Sequence, residues 1–482
     1  MVALSLLPVG CGSTGDTPAE AASSSGTPAP APTVQGVIEA LPPPLPTIAE
    51  IPSFEDLNPD PTILEVKLNA SQQDVEIVPG HLTPSFTYNG QVPGPLLHAR
   101  VGDRVIVHFQ NDLKKPTTIH WHGLRISSEM DGNPMIQDPV PPGGSFTYDF
   151  TLPDAGTYWY HPHFNTAEQI DRGMYGAIVV EEKEPLAFSN ERILVLDDVR
   201  LTSKFQISPF SSSGMDVMHG RFGNTLLVNG TTEPAKGSVK RGSIERWRLV
   251  NTASARTMVV GVQGASFRVI GTDGGLLPAP FTAKRMELPI GQRYDLEVTF
   301  DGEIGSTVHA VFFVDVQDAN GNISEESRPL ADYTIEGEGT ATPPVYPVVT
   351  LPDQAPASPV EKKIVLNMGM VGGKMVFTIN GKTGDKLPMD EFSQGAPVRF
   401  TLLNKSMPYH PFHLHGEFFQ ILTRGGKPSK ETGLKDTVLL NQNETVEILT
   451  YFENPGRWMY HCHIPEHSDN GMMAEVMVQP SH

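Results

Sequence analysis

The chain has 482 residues, 19% of them charged, and a formal net charge of −20 at pH 7. This length predicts about three domains, and the negative charge argues against nucleic acid as a partner. Abundant Gly (45) and Pro (44), with little helical periodicity, favour an all-β protein with many turns, and no stretch approaches the roughly 20 apolar residues of a membrane helix.

The N-terminal residues 1–11 look like a truncated export signal or a lipobox-like leader. Residues 1–10 are apolar, although no basic residue precedes Lys67. Leu7-Pro8-Val9-Gly10-Cys11 resembles a bacterial lipoprotein cleavage box, so Cys11 is a candidate for a lipid anchor, with a nondescript leader as the alternative. Residues 12–58, rich in Ala, Pro, Ser and Thr, are predicted to form a flexible tether. We therefore expect an exported protein, either periplasmic or at the cell surface or extracellular.

Three copies of one sequence pattern follow the tether. Each copy has an Asn-Gly pair after an apolar alternating run, which predicts a tight turn. A glycine then precedes a second alternating strand that ends in Asn nine residues later. These second strands are Gly102 to Asn111, Gly242 to Asn251 and Gly395 to Asn404. The repeats predict three β-domains, residues 59–183, 186–341 and 360–482, with a Pro-rich linker at 342–359.

The outer copies carry histidine pairs where the middle copy is apolar. His120-Trp121-His122 lies nine residues beyond Asn111, and His413-Leu414-His415 lies nine beyond Asn404. His161-Pro162-His163 and His461-Cys462-His463 each begin five residues after a glycine. The same offsets in the middle copy reach Val260-Gly261-Val262 and Ala310-Val311-Phe312. Eight imidazoles are too many for one metal ion and suit a cluster of three, provided that the outer domains pack against each other with the middle domain as spacer and wall.

The C-terminal end carries a second set of metal-binding side chains. Cys462, His467 and Met472 offer the thiolate, imidazole and thioether that suit copper. A trigonal blue-copper site needs a second histidine, for which His410 is the candidate. On a strand, His461 and His463 point away from the face of Cys462. The cysteine can therefore bind one metal ion while its neighbours bind others.

These motifs resemble the three-domain multicopper oxidases, the family of laccases, cuprous oxidases and ferroxidases, over roughly residues 62–482. The resemblance implies three cupredoxin-like Greek-key β-sandwich or barrel domains and four copper ions. It implies a type 1 copper bound by His410, Cys462, His467 and axial Met472, and a type 2 copper bound by His120 and His413. One type 3 copper would take His122, His161 and His463, and the other would take His163, His415 and His461.

The resemblance also implies an enzyme that couples one-electron oxidations to the four-electron reduction of dioxygen to water. We expect a laccase-like oxidase of phenolic or aromatic donors. A metallo-oxidase acting on Cu(I), Fe(II) or Mn(II) is the alternative, and Met368, Met370, Met375, Met215 and Met218 are interpreted as core or loop filling. A copper-binding or electron-transfer protein without oxygen chemistry is the alternative of another class, but it would leave eight histidines without a role.

Protons for oxygen reduction need a carboxylate near the cluster, and the resemblance points to Asp131. The alternative for Asp131-Gly132 is a turn-forming pair. Many bacterial members have Glu directly after the second type 1 histidine, whereas this chain has Ser468 there, so the second proton route stays open. We expect a monomer by default.

Overall fold

The computed structural model describes residues 45–210, 214–317, 323–340 and 342–481. Strands dominate these residues and form six sheets. The prediction of an all-β protein is therefore confirmed. The predicted leader with Cys11, and the predicted tether up to residue 44, lie outside the described residues.

The first two sheets come from one stretch of chain. Its eight strands are β1 (Ile63–Val78), β2 (His81–Tyr88), β3 (Gly94–Arg100), β4 (Arg104–Asn111), β5 (His120–His122), β6 (Ser145–Thr151), β7 (Gly156–His161) and β8 (Gly176–Glu181). The sheet orders are β2-β1-β4-β6 and β3-β8-β7-β5. Val105, Val107 and Phe109 alternate along β4 and are buried, so a period of two places one face of this strand in the core. A short helix, α1 (Thr166–Asp171), follows β7.

The middle stretch forms the next two sheets. Its strands are β9 (Asn190–Val199), β10 (Thr225–Val228), β11 (Ala235–Arg241), β12 (Ile244–Asn251), β13 (Met258–Gln263), β14 (Ser266–Thr272), β15 (Gly275–Thr282), β16 (Met286–Leu288), β17 (Arg293–Thr299), β18 (Thr307–Gln317) and β19 (Ile323–Glu338). The sheet orders are β10-β9-β12-β17-β14-β15 and β11-β19-β18-β13-β16. A six-residue helix, α2 (Gly214–His219), lies between β9 and β10.

The last two sheets come from the C-terminal stretch. Its strands are β20 (Val360–Val371), β21 (Lys374–Ile379), β22 (Asp390–Ser393), β23 (Pro397–Asn404), β24 (His410–Leu414), β25 (Phe419–Arg424), β26 (Lys427–Pro428), β27 (Thr437–Leu440), β28 (Thr445–Tyr451), β29 (Gly456–Cys462) and β30 (Met473–Gln479). The sheet orders are β21-β20-β23-β28-β25-β26 and β22-β30-β29-β24-β27. Helix α3 (Pro465–Asp469) joins β29 to β30. Three short 3-10 helices, Ile48–Glu50, Ser128–Met130 and Gly384–Lys386, complete the described elements.

The three copies of the sequence pattern adopt the same local structure. Each Asn-Gly pair has positive φ at both residues, as at Asn89 (51°) and Gly90 (81°), which is the backbone of a two-residue hairpin turn. The asparagine side chain then accepts a hydrogen bond from the first strand of its copy, from the N–H groups of Asn69, Val195 and Val365. In each copy this first strand runs parallel to the strand that ends in Asn. The sequence repeat is thus a structural repeat.

Residues 45–58, predicted to belong to the tether, lie against the folded domains. Thr47 bridges to Arg192 and Ser53 bridges to Leu96, and the side chain of Ile48 packs in an apolar cluster with Leu96 and Ile193. The few apolar side chains of this Pro-rich segment are buried against the domains, so residues 45–58 are packed rather than a free tether.

Within the described part of the chain, no helix has both the length and the apolar character needed to cross a membrane.

Candidate metal centres

The histidine pairs of each outer domain lie on, or at the end of, adjacent antiparallel strands. In the first domain, β5 pairs with β7 so that His120 lies opposite His161. In the third domain, β24 pairs with β29 so that His413 lies opposite His461. The middle domain pairs the corresponding strands β13 and β18 in a register displaced by two residues, with Val260 opposite Phe312. Apolar residues occupy the positions of the histidine pairs there, and His309 of β18 is exposed and faces Asp332 instead.

The eight imidazoles of the four pairs meet in one buried cage between the first and third domains. His461 Nε2 lies 3.2 Å from His163 Nε2 and 3.0 Å from His415 Nε2. His463 Nε2 lies 3.1 Å from His122 Nδ1. No ring of the cage is more than 6% exposed. Nitrogen atoms that face one another at these distances are suited to share bound cations.

Hydrogen bonds to one ring nitrogen determine which nitrogen faces the cage. Nδ1 faces a main-chain carbonyl in His120, His161, His413 and His461 at 2.8–3.0 Å. This arrangement leaves Nε2 free, and Nε2 of His120, His161 and His413 has no hydrogen-bond partner among the described residues. His122 is reversed, because its Nε2 faces the Asp436 carboxylate at 3.2 Å and its Nδ1 faces the cage. Such outer hydrogen bonds fix the tautomer of metal-binding histidines.

Burial keeps four of the cage imidazoles, His161, His163, His415 and His461, in the form that binds metal. It lowers the pKa of His415 to about 3 and lowers the pKa of His161, His163 and His461 well below the usual value. Neutral imidazole is a ligand for copper, whereas imidazolium is not. The unpartnered, inward-facing nitrogens therefore fit a cluster of copper ions.

The cysteine set forms a second buried cluster. Cys462 Sγ lies 3.4 Å from Nδ1 of both His410 and His467, and these two nitrogens are 3.1 Å apart. Met472 is buried, and its main chain bonds to both Cys462 and His467. Burial raises the pKa of the Cys462 thiol, so the thiolate form requires a bound cation. Two imidazoles and a thiolate, with the buried Met472 bonded to the same segment through its main chain, fit one copper ion of the blue type.

The family comparisons agree with this arrangement. Three multicopper oxidase profiles match residues 69–185, 201–326 and 356–482. The chain is 31% identical over 428 residues to the multicopper oxidase mco of Staphylococcus aureus, a match that covers 85% of this chain and 88% of that protein. The chain belongs to the multicopper oxidase family.

Solved structures of this family resemble the oxidase along most of its length. A multicopper oxidase from Campylobacter jejuni, described as a metallo-oxidase, superposes with a TM-score of 0.78 at 28% identity, covering 91% of this chain and 96% of that chain. A laccase from Pediococcus acidilactici superposes with a TM-score of 0.76 at 28% identity, covering 90% and 93%. The protein is thus an oxidoreductase of cupredoxin-like domains that uses copper, a reductant and dioxygen.

The structure of the oxidase brings every predicted histidine and cysteine ligand into one of the two clusters. His163, His415 and His461, predicted for one type 3 copper, form one tight group of facing nitrogens. His120 and His413, predicted for type 2 copper, lie together in another, which His415 also joins. The remaining type 3 trio of His122, His161 and His463 faces the same cage. The assignment of individual ligands to individual ions stays a prediction.

Asp131 lies at the edge of the cage and contacts two of its histidines. Its Oδ2 lies 2.8 Å from His415 Nδ1, and its Oδ1 lies 3.2 Å from His120 Nδ1. Burial alone would raise the pKa of this carboxyl, but the two imidazoles outweigh burial and hold the pKa below its usual range. Gly132 is also needed here, because a Cβ at this residue would lie 1.8 Å from the Ile119 carbonyl oxygen. Asp131-Gly132 is therefore a tight turn that also aims a carboxylate at the cage.

Sequence analysis missed a second carboxylate at the cage, that of Asp436. Asp436 is 1% exposed, faces His122 Nε2 through its side chain and accepts a hydrogen bond from His413 through its main-chain oxygen. Arg293 holds its carboxylate with two hydrogen bonds of 2.8 and 2.5 Å. Burial favours the neutral acid, but Arg293 and His122 hold the pKa of Asp436 well below its usual range. A Lys-Asp pair directly before an apolar strand was the only signal for this residue in the sequence.

The outer edge of the type 1 cluster is covered rather than open. His410 and His467 are both fully buried. His467 Nε2 lies 3.1 Å from the Met218 carbonyl of α2, and the Phe377 ring stacks on the His467 ring with centroids 4.0 Å apart. A reductant therefore meets α2 and the β20–β21 hairpin before it meets the histidine.

Helix α3 carries two acidic side chains, Glu466 and Asp469, on either side of His467 and Ser468. The Ser468 hydroxyl donates to the Pro465 carbonyl at 3.1 Å. Burial raises the pKa of Glu466 to about 8. Asp469 accepts a hydrogen bond from the Ala167 N–H of α1 at 3.3 Å, so a carboxylate still links the third domain to the first beside Ser468.

Proposed function

We propose that this multicopper oxidase is a metallo-oxidase that takes electrons from Cu(I) and reduces dioxygen to water with four copper ions, one of type 1, one of type 2 and a type 3 pair. The choice of substrate rests on the covered edge of the type 1 cluster. There the Met218 carbonyl oxygen lies 3.1 Å from Nε2, the outer ring nitrogen of His467. Because this carbonyl covers the histidine, a planar aromatic donor cannot contact the ring directly. A single metal ion, in contrast, needs only ligand atoms near the histidine.

Methionine side chains surround the covered edge. In the β20–β21 hairpin, Met368 lies opposite Phe377 and Met370 lies opposite Met375, so all four side chains share one face. Phe377 stacks on His467, Met368 and Met375 are partly buried, and Met370 is 64% exposed. This face therefore extends from the type 1 histidine to solvent.

Helix α2, whose Met218 carbonyl contacts His467, adds further sulfur. Met215 is 66% exposed and Met218 is half-buried, and α2 contacts both β21 and α3. Thioether sulfur is a soft ligand that prefers Cu(I) to harder ions such as Fe(II) or Mn(II). The methionines interpreted as core or loop filling therefore support the proposal of Cu(I) as the substrate.

Bound copper supplies one-electron acceptance at the cysteine cluster and multi-electron reduction of dioxygen at the histidine cage. The chain supplies the connection between the two sites, because Cys462 belongs to one cluster while His461 and His463 face the other. It also excludes bulk water, since every candidate ligand is buried. Asp131 keeps its proposed role in proton transfer, and its bonds to His415 and His120 add a positioning role.

Oxidation of phenolic or aromatic donors is the second candidate. Its support is the similarity to the Pediococcus acidilactici laccase. This candidate requires α2 to move away from His467, because in the structure the Met218 carbonyl occupies the edge that an aromatic donor would approach.

The test is oxygen uptake by copper-loaded protein with Cu(I) or with a phenolic donor, corrected for uncatalysed oxidation. We expect faster turnover on Cu(I). In a Met370→Leu/Met375→Leu variant, we expect KM for Cu(I) to rise about tenfold, equivalent to about 1.4 kcal/mol of binding, with phenol turnover unchanged. Met135→Leu is the matched control, because Met135 is also exposed (36%) but lies beside the Asp131 turn. If the protein oxidised the phenol faster than Cu(I), and KM for Cu(I) were unchanged in the Met370→Leu/Met375→Leu variant, the Cu(I) proposal would be excluded.

We further propose that the oxidase is exported, held at the periplasmic or outer surface by a lipid on Cys11, and monomeric. The support is the apolar leader with its lipobox-like end and the polar, Pro-rich stretch that follows it. Metabolic labelling with a fatty acid, compared between the native chain and Cys11→Ser, tests the anchor. Equal labelling of both chains would contradict it, and sedimentation analysis tests the monomer.

A further inference from the structure

Arg293 joins all three domains although it lies in the domain without candidate copper ligands. Its Nε donates to the Thr157 carbonyl of the first domain at 2.9 Å. Nη1 donates to the Gly291 carbonyl and Nη2 to the Asp273 carbonyl within the second domain. The two remaining N–H groups donate to the two oxygens of Asp436 in the third domain. All five guanidinium donors are thus used, and the side chain is fully buried.

Asp436 is placed so that it could itself bind a metal. Its carboxylate oxygen, His122 and His413 lie within 4.8 Å of one another and form one of the groups able to hold an ion. In the structure both oxygens are instead taken up by Arg293 in a bidentate pair, while Oδ1 also faces His122 Nε2 at 3.2 Å. This contact turns His122 so that Nδ1 faces the cage.

The loop that carries Arg293 also lies directly against the cage. Gly291 has φ +79°, and a Cβ there would lie 3.1 Å from His122 Cε1 and 3.3 Å from His463 Cδ2. Gln292 donates to the Thr437 carbonyl at 2.7 Å, and Thr437 directly follows Asp436. Three consecutive residues of the middle domain therefore support the histidines from outside.

We infer that Arg293 is a positioning residue that keeps the Asp436 carboxylate out of the copper coordination sphere and makes it a hydrogen-bond acceptor for the cage histidines. The middle domain has apolar residues where the other two have histidines. Through Arg293 it nevertheless determines that the trinuclear site offers imidazole nitrogens, and not the Asp436 carboxylate, to the copper ions. The inference concerns the copper cage and does not depend on whether Cu(I) or a phenol is the reductant.

The test is electron paramagnetic resonance of copper-loaded Arg293→Met, with copper content measured after competition with a chelator. We expect the type 1 signal and the blue band to stay as in the native protein. The type 2 signal should change its g and hyperfine values, because the released carboxylate adds an oxygen ligand. Copper in the cage should be held about 10- to 100-fold more weakly, because a carboxylate that moves to copper no longer orients His122, and the loss of such an orienting partner outweighs the added ligand.

A second substitution separates this role from general destabilisation. In Arg293→Met/Asp436→Asn the neutral amide is a poor copper ligand, so the native type 2 signal should return. If Arg293→Met does not fold, Arg293→Lys serves in its place, because lysine keeps the charge but cannot form the bidentate pair. An unchanged type 2 signal in the variant that folds, or a double variant with the same altered signal as the single one, would overturn the inference.

Arg248→Met is the matched control. Arg248 is also fully buried in the middle domain and also contacts Thr157, but its acidic partners are Glu191 and Asp295. We expect its type 2 signal to match the native protein. An equal change in Arg248→Met and Arg293→Met would assign the effect to domain packing and contradict the role of Asp436.

Discussion

Gly132→Ala tests whether the Asp131 turn positions the histidine cage. Gly132 has φ +77°, and an added Cβ would lie 1.8 Å from the Ile119 carbonyl oxygen and 2.9 Å from the His120 nitrogen. Ile119 directly precedes His120, so the chain cannot relieve this contact without moving a candidate type 2 ligand. The turn and the ligand strand should therefore be disturbed together.

The size of the effect follows from two contributions. A non-glycine residue in the left-handed region costs about 1–2 kcal/mol, and forcing an extra carbon into a packed site costs about 1–3 kcal/mol. Gly132→Ala should thus destabilise the metal-free protein by about 2–5 kcal/mol. Gly143→Ala is the control, because Gly143 has φ +76° but open space around its Cβ, so only the first contribution, about 1–2 kcal/mol, applies.

The assay is urea unfolding of both metal-free variants, followed by copper loading and electron paramagnetic resonance. We expect Gly132→Ala to unfold at lower urea than Gly143→Ala and to lose type 2 copper while keeping the blue type 1 site. Equal unfolding midpoints with full type 2 occupancy in both variants would refute the reasoning that this turn fixes His120.

Three further predictions concern the two clusters and their protonation. Cys462→Ser should remove the blue absorption band and turnover and keep the native circular dichroism spectrum, since only the thiolate is lost; a blue variant would contradict the cysteine site. His163→Ala should keep the blue band but stop oxygen uptake, because a candidate ligand of the cage is missing; undiminished uptake would argue against the cage. Burial lowers the pKa of His410 and His415 to about 3 from the usual 6.5, so between these values the unfolded chain binds more protons than the native one. The stability of the metal-free protein should be fully present above about pH 6.5 and fall below it, and a constant urea midpoint from pH 7 to pH 4.5 would contradict this origin.

The histidine motifs were predictable because they lie in repeated strands. The offset of nine residues from Asn111 and Asn404 to the histidine pairs is a local property of the repeat, and the same asparagines bond their own loops in the structure. Apolar side chains at Val260 and Phe312 likewise occupy the equivalent ladder in the middle domain. Both the all-β fold and the candidate ligands could therefore be predicted from local spacing in the sequence.

The residues around the ligands were not predictable, because their contacts form between distant parts of the chain. Arg293 and Asp436 are in different domains, and nothing near either residue indicates that they pair. The Met218 carbonyl covers His467 only because α2 packs on α3. The packing of residues 45–58 depends in the same way on surfaces of both neighbouring domains. Tertiary packing, rather than a local pattern, determines all of these.

Anomalous diffraction at the copper edge, from crystals of copper-loaded protein, tests the central claim most directly. We expect one peak beside Cys462, His410 and His467 and three peaks inside the histidine cage, with Asp436 bound to Arg293 and not to copper. A single peak in the cage, or copper at the apolar ladder of Val260 and Phe312, would contradict a trinuclear site built by the two outer domains alone.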